Sequence, residues 1–166
     1  DDYVTIPDST PTNIITGLYT FSFWIKLPNP PALSSGWAML YKDSASDRSY
    51  GVGIDTAYKV FTWASSDGNY NANNRSNGDT AISLGEWHNI VITNNGSAST
   101  IDIYIDGVES TYDTSGGANR VGVDTVWQST EPLQIGNHWS AGWEFEGNID
   151  DVALFDRVKD IPTLFN

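Results

Sequence analysis

The sequence predicts an all-β fold: two antiparallel sheets packed face to face as a β-sandwich, or jelly roll. Three observations predict it. Apolar residues recur with a period of two along most of the chain. Turn residues break the pattern at short intervals, most sharply at Asn94-Asn95-Gly96 and Asp106-Gly107. No segment carries a long helical period. A chain of 166 residues is the size of one domain with one core. That many residues cannot bury a single flat sheet, so two sheets of about a dozen short strands are expected.

Taken in order, residues 21–27 form the first clear strand. Phe21, Phe23, Ile25 and Leu27 share one face, and Ser22, Trp24 and Lys26 the other. Pro28, Pro30 and Pro31 then end it. Residues 38–41 and 50–55 are short strands joined by a polar loop, and residues 59–64 are another. Residues 65–80 are rich in Asn, Gly, Ser and Asp without apolar period, and are expected to be a surface excursion. Residues 87–93, 100–105 and 108–112 read as an antiparallel meander through the two turns above. Residues 132–136 and 145–155 supply the last strands. Val152-Ala153-Leu154-Phe155 is apolar on both faces, which places it in the middle of a sheet. Residues 160–165 allow a single helical turn capped by Asp160.

Charge narrows the function. Lys and Arg number 8 against 21 Asp and Glu, a net charge of -13. Nucleic acid and anionic lipid are excluded as partners, because both demand a basic face. Cation binding is permitted. Cysteine is absent, so there is no disulfide framework and no thiol chemistry. No apolar run approaches the roughly 20 residues that span a membrane. The chain opens Asp1-Asp2 with neither Met nor a signal peptide, so residues 1–166 are expected to be one domain of a larger protein.

Several short motifs stand in a telling order. Asp2-Tyr3-Val4-Thr5-Ile6-Pro7 opens the chain and Phe21-Ser22-Phe23-Trp24-Ile25-Lys26 follows. Gly85-Glu86-Trp87-His88-Asn89-Ile90-Val91-Ile92-Thr93 and Ile103-Tyr104-Ile105-Asp106-Gly107-Val108 come next. Leu133-Gln134-Ile135-Gly136-Asn137, Phe145-Glu146-Gly147-Asn148-Ile149-Asp150-Asp151-Val152 and Ala153-Leu154-Phe155-Asp156-Arg157 close the series. Together they resemble the laminin-G-like, pentraxin-related group of the concanavalin A-like lectin-glucanase superfamily. The resemblance implies a concanavalin A-like sandwich. It leaves function open, since that fold hosts lectins, adhesion domains, toxin and phage modules and glycoside hydrolases.

The resemblance also implies calcium. Laminin-G and pentraxin domains place a ligand acid before the Tyr50 strand, where Asp43 and Asp47 stand and Asp47 is the matching position. Arg48 occupies the place of the pentraxin Asn. A second, structural calcium of this fold would fall to Asp2 and Asp151. Oxygen-rich loops of this kind suit calcium, which takes several carboxylate and carbonyl ligands.

Catalysis has less support. Glu144 and Glu146 lie two apart and would share a strand face, as a glycosidase pair could. The Glu-x-Asp-x-x-Glu run of the fold's laminarinase-type hydrolases is absent, however. His88 and His138 suggest no Ser-His-Asp order, so no catalytic residue is assigned.

Ligand binding is read from aromatics, because sugars stack C–H faces on Trp and Tyr while amides and charged groups bond their hydroxyls. Trp63, Tyr70, Trp127, Trp139 and Trp143 fall in or near polar loops, with Arg75, Asn137 and His138 beside them. These eight residues are the candidate glycan site. The leading expectation is a non-catalytic carbohydrate-binding or adhesion module, extracellular or on a cell or virion surface, recognising a glycan or protein surface. The alternative is a decoration or fibre domain of a virus particle or other surface assembly. A glycoside hydrolase ranks last.

Overall fold

The computed structural model describes residues 2–9, 12–14, 16–28, 36–71, 74–96, 100–113 and 120–161. Among them are eleven strands: β1 (Val4–Ile6), β2 (Leu18–Lys26), β3 (Trp37–Asp43), β4 (Arg48–Ile54), β5 (Lys59–Ala64), β6 (Arg75–Ala81), β7 (Trp87–Asn95), β8 (Ile101–Ile105), β9 (Val108–Glu109), β10 (Leu133–Ile135) and β11 (Asn148–Phe155). They form a six-stranded sheet in the order β1-β10-β3-β4-β5-β6 and a five-stranded sheet in the order β11-β2-β7-β8-β9. The strand pairings are antiparallel. The two sheets make the expected sandwich.

The core follows the period of two. Phe21, Phe23 and Ile25 of β2 meet Ile90 and Ile92 of β7 and Ile101 and Ile103 of β8, all buried. Met39, Tyr50, Val52 and Ile54 come from the opposite sheet. Phe21 links the layers, with its ring 4.6 Å from Tyr19 and 4.9 Å from Tyr50. The buried Tyr50 hydroxyl donates to the Thr12 carbonyl, so its polar end is satisfied. Lys42 is also buried. Its ammonium bonds the Asp8 carboxylate at 2.7 Å and the Glu131 carbonyl, tying the first loop to the last turn before β10.

Four expectations need correction. The excursion at residues 65–80 contains β6, which pairs Trp63 with Arg75 and Phe61 with Asn77. β6 is an edge strand built from small and polar residues, so its backbone pairing leaves no apolar period to read. The apolar run at 152–155 lies in β11, at the edge of its sheet rather than in the middle. A register shift between Asp150 and Ala153 turns the strand, and Lys159 covers the Phe155 ring at 4.6 Å, which shields the second apolar face. β11 starts at Asn148, because residues 144–147 belong to a loop held by the Phe145 amide on the Gly136 carbonyl. β9 stops at Glu109, short of the expected strand through residue 112. The helical turn expected at residues 160–165 falls mostly outside the described residues, as do Pro30 and Pro31.

A second, smaller cluster sets up the site. Ala38, Tyr41, Phe61 and Trp63 are buried apart from the main core, with Trp143 packed on them. They lie on the outer face of the six-stranded sheet, under the loop that joins β10 to β11.

Candidate functional site: an aromatic pocket on the outer face of the six-stranded sheet

The pocket begins with two glycines. Gly51 and Gly53 alternate with Val52 on β4 and stand opposite Trp63 and Phe61 of β5. A side chain at Gly51 would place its Cβ 2.6 Å from Trp63 Nε1, and one at Gly53 would come 2.5 Å from the Phe61 ring. The missing side chains let both rings lie flat across β4, as aromatics do when they cover strand glycines.

The loop after β10 builds the opposite wall. The Ala38 amide donates to the Trp143 carbonyl at 2.8 Å, and the Gly136 amide to the Met39 carbonyl at 2.9 Å. These bonds lay the loop over β3 and hold Trp143 against the sheet. Gly36 makes room for it, since a Cβ there would sit 2.9 Å from the Trp143 ring. Rings then run continuously across the face. Tyr70 lies 6.0 Å from Trp63, Trp63 6.0 Å from Tyr41, Tyr41 4.7 Å from His138, and His138 5.9 Å from Trp143.

The result is a cavity of about 300 Å³, at the lower end of the range for small-molecule sites. Trp63, Tyr70, Trp143, Tyr41 and Phe61 give it apolar walls, and Asp43, Arg48, Asp55, Arg75 and His138 supply the polar groups. Asp43 is only 7% exposed and neither carboxylate oxygen has a hydrogen-bond partner. Its neighbour is His138, whose Nε2 stands 3.6 Å from Asp43 Oδ2. The Ser140 amide donates to His138 Nδ1 at 3.1 Å, so in the neutral ring Nε2 carries the proton and faces the carboxylate. Burial pushes the Tyr41 phenol well above its ordinary range, and the Asp43 charge pushes it the same way. Asp55 is occupied otherwise, because its Oδ1 accepts the amides of Ala57 and Lys59 and closes a turn.

Of the eight candidate ligand-binding residues, Trp63, Tyr70, Arg75, His138 and Trp143 line this one cavity. Asn137 and Trp139 lie in the same loop but outside the lining, with Trp139 stacked obliquely on His138 at 5.1 Å. Trp127 lies apart. Its Nε1 donates to Asp47 Oδ1 at 2.7 Å and its ring covers Gly68.

The acids considered for the two calcium sites stand in different settings. Asp47 accepts from Trp127, from the Thr130 amide and from the Thr130 hydroxyl, which uses both of its oxygens. Burial opposes its ionisation, yet these donors outweigh it and hold the carboxyl below its usual range. Asp43 faces the cavity instead. Asp2 lines a separate polar groove with Tyr3 and Gly136, and Asp151 sits exposed at the β11 register shift with φ 49°. No group of three or more His, Asp or Glu able to hold a metal occurs among the described residues.

Strand residues were missed in the sequence because they look like ordinary alternation. Tyr41 and Phe61 are the main ones; Arg48, read as part of the polar loop before residue 50, opens β4 instead. The available signal was Gly51-Val52-Gly53 facing Phe61-Thr62-Trp63, a glycine pair set against an aromatic pair. Two further arrangements bear on catalysis. Glu144 folds back on the Gly142 amide at 2.9 Å, and neither it nor Glu146 lines the cavity. Backbone amides hold the Glu144 carboxyl below its usual range. Ser83, His88 and Asp106 do form a chain of contacts, with Ser83 Oγ 2.7 Å from His88 Nε2 and His88 Nδ1 2.7 Å from Asp106 Oδ2. Asp106 Oδ1 also accepts the Asn89 amide, so the chain clamps the Asp106-Gly107 turn to β7. Ser83 Oγ is shared with Glu86 as well, and none of these residues lines the aromatic cavity.

Solved structures share the fold. A candidate carbohydrate binding protein from Bacteroides ovatus superposes with a TM-score of 0.70 at 12% identity, covering 98% of this chain and 43% of that one. Domain 4 of AbnA, a GH43 extracellular arabinanase from Geobacillus stearothermophilus solved with arabinotriose, gives 0.63 at 17% identity, over 98% and 70%. A heptameric SAP-like pentraxin from Limulus polyphemus gives 0.63 at 12% identity, over 98% and 79%. This chain thus spans less than half of the Bacteroides protein. No curated protein sequence matches it. The laminin-G-type family model described as the concanavalin A-like lectin/glucanases superfamily matches residues 1–160, and the chain belongs to that superfamily.

Proposed function

We propose that this domain is a non-catalytic carbohydrate-binding module and that its glycan sits in the aromatic pocket. The observation that carries the proposal is Asp43. A carboxylate buried without hydrogen-bond partners is costly, and it is relieved when a ligand brings donors to it. Sugar hydroxyls are such donors, and Tyr70 and Trp143 offer the flat faces on which a pyranose or furanose ring stacks, above the buried Trp63. Hydrolysis is the weaker alternative, because the two-carboxylate mechanism needs a facing pair. Asp55 is committed to its turn, and Glu144 and Glu146 lie elsewhere.

The module is proposed to act outside the cell, on a larger protein that it anchors to a glycan surface. Similarity to one domain of an extracellular arabinanase supports that setting. No helix among the described residues is long and apolar enough to cross a membrane.

A glycan array probed with the unmodified chain and with Trp143→Ala tests the proposal. Binding to at least one glycan class is expected, weakened at least about tenfold in the variant, which corresponds to about 1.4 kcal/mol. Absence of any glycan binding, or binding unchanged in both Trp143→Ala and Tyr70→Ala, refutes it.

A further inference from the structure

We infer that the pocket selects a sugar bearing a carboxylate, a uronic or sialic acid residue, within a short or otherwise neutral glycan. The inference rests on the glycan-binding proposal above and specifies its ligand class.

Its basis is the placement of two arginines. Arg48 opens β4 and Arg75 opens β6, and both point into the cavity. Tyr70 stands between them. The Arg48 guanidinium lies 5.9 Å from the Tyr70 ring centroid, and Arg75 Nη1 donates to the Tyr70 hydroxyl at 3.0 Å. Arg75 Nε donates to Asn77 Oδ1 at 2.6 Å, and its guanidinium lies 4.4 Å from the Phe61 ring centroid. Arg75 Nη2 makes no hydrogen bond among the described residues.

Neither arginine forms an ion pair among the described residues, although acids outnumber bases 21 to 8 in this chain. Lys42, Lys59 and Arg120 have acidic partners, whereas Lys26, Arg157 and Lys159, like the two arginines, have none among the described residues; Arg48 and Arg75 differ in lining the cavity. Arg48 is the sharper case. Its cross-strand partner is Asp43, an acid with two unpartnered oxygens in the same cavity, yet no ion pair joins them. Positive and negative groups are therefore held apart across one small pocket. A neutral sugar's hydroxyls donate to Asp43 and accept from the arginines, but bring no counter-charge to the guanidinium groups. A sugar acid also brings the counter-charge, with hydroxyls donating to Asp43 and its carboxylate accepting from Arg48, whose fork forms the planar pairing well, and from Arg75 Nη2.

The net charge of -13 sets the second half of the inference. The remaining surface repels a polyanion, so a long polyuronate is disfavoured. One acidic residue in a short or mostly neutral chain meets the local charge without that penalty, and the cavity of about 300 Å³ suits a single sugar residue.

The test is calorimetric titration of the full chain with xylotriose carrying glucuronic acid, a galacturonic-acid-terminated trisaccharide and sialyllactose. Each is matched against its own methyl ester, which removes the charge and keeps the sugar. At least one free acid is expected to bind about ten- to a hundredfold tighter than its ester, as a charge-assisted hydrogen bond supplies. Arg48→Gln is expected to abolish that preference. Arg75→Gln is the second variant, and a thermal melt confirms that each is folded. Equal affinity for acid and ester, lost in Trp143→Ala, overturns the acidic specificity and leaves the glycan site standing. Undiminished preference in both arginine variants overturns the role of the arginines. No binding of any acid or ester counts against both the specificity and the glycan site.

Discussion

Gly51→Ala is the most demanding perturbation of the pocket floor. The added methyl lands 2.6 Å from Trp63 Nε1, 2.7 Å from Cε2 and 2.9 Å from Cζ2. Ordinary contact lies at about 3.5–4.0 Å, so the indole has to retreat by about 1 Å. It has little room to do so, since Trp63 is 3% exposed between Tyr41 and Tyr70. Overpacking of this kind costs about 1–3 kcal/mol. Removing a strand glycine returns about 0.5–1 kcal/mol of backbone entropy. The central values leave a net loss of about 1 kcal/mol, and at about 2–4 °C per kcal/mol for a domain of this size the melting temperature falls by about 2–5 °C. Near-UV circular dichroism followed through a thermal melt reads both the shift and the changed environment of the indole. Glycan affinity is expected to fall by at least about tenfold in the same variant, since the floor beneath the pocket has moved. A melting temperature at or above that of the unmodified protein, with an unchanged near-UV spectrum, refutes the packing of Trp63 over Gly51.

Trp127→Ala separates the two kinds of loop tryptophan. It removes the bond to Asp47 and is expected to cost about 1 kcal/mol in a chemical denaturation series. Glycan binding should be unchanged; a loss as large as that in Trp143→Ala contradicts the placement of the site. Acid stability depends on Asp8, whose hydrogen bond to Lys42 holds its carboxyl below the ordinary range. A depressed carboxyl contributes stability that is present above its unfolded pKa of about 4 and is lost as pH falls through the folded value. The melting temperature is therefore expected to drop below about pH 4, and Lys42→Met should flatten that limb; identical pH profiles for the two proteins would contradict the link. Ser83→Ala tests the contact chain at His88. No ester hydrolysis is expected from either protein, and an activity present in the unmodified chain but absent from Ser83→Ala would make that chain catalytic rather than a turn clamp.

The sandwich was legible where strands have one buried face. β8 alternates strictly, and β2 and β7 keep the period in Phe21, Phe23, Ile25, Ile90 and Ile92, although Thr20 and Val91 on the other face are buried as well. β6 was invisible, since an edge strand of Ser, Asn, Gly and Asp is held by backbone pairing that leaves no trace in side-chain period. β11 was misplaced because a register shift and a covering lysine imitate the two-sided burial of a central strand. The site divides in the same way. Trp143, His138 and Arg75 stood out as aromatic and charged residues in polar surroundings. Tyr41 and Phe61 did not, because alternation gives a strand two faces without saying that a loop will cover the outer one. Trp127 and Trp143 occupy similar sequence settings. Only the fold sends one to Asp47 and the other onto the backbone of Ala38.

The placement of the glycan site is tested most directly by the seven tryptophan indole N–H signals in a nitrogen-15 correlation spectrum during titration with a glycan that binds. Trp63 and Trp143 line the pocket, whereas Trp24 and Trp87 lie on strands of the other sheet, exposed at its outer face. The expected result is that the Trp63 and Trp143 signals move with saturation while those of Trp24 and Trp87 stay in place. Movement of Trp24 and Trp87 with Trp63 and Trp143 unchanged would put the glycan on the opposite sheet and contradict the site described above.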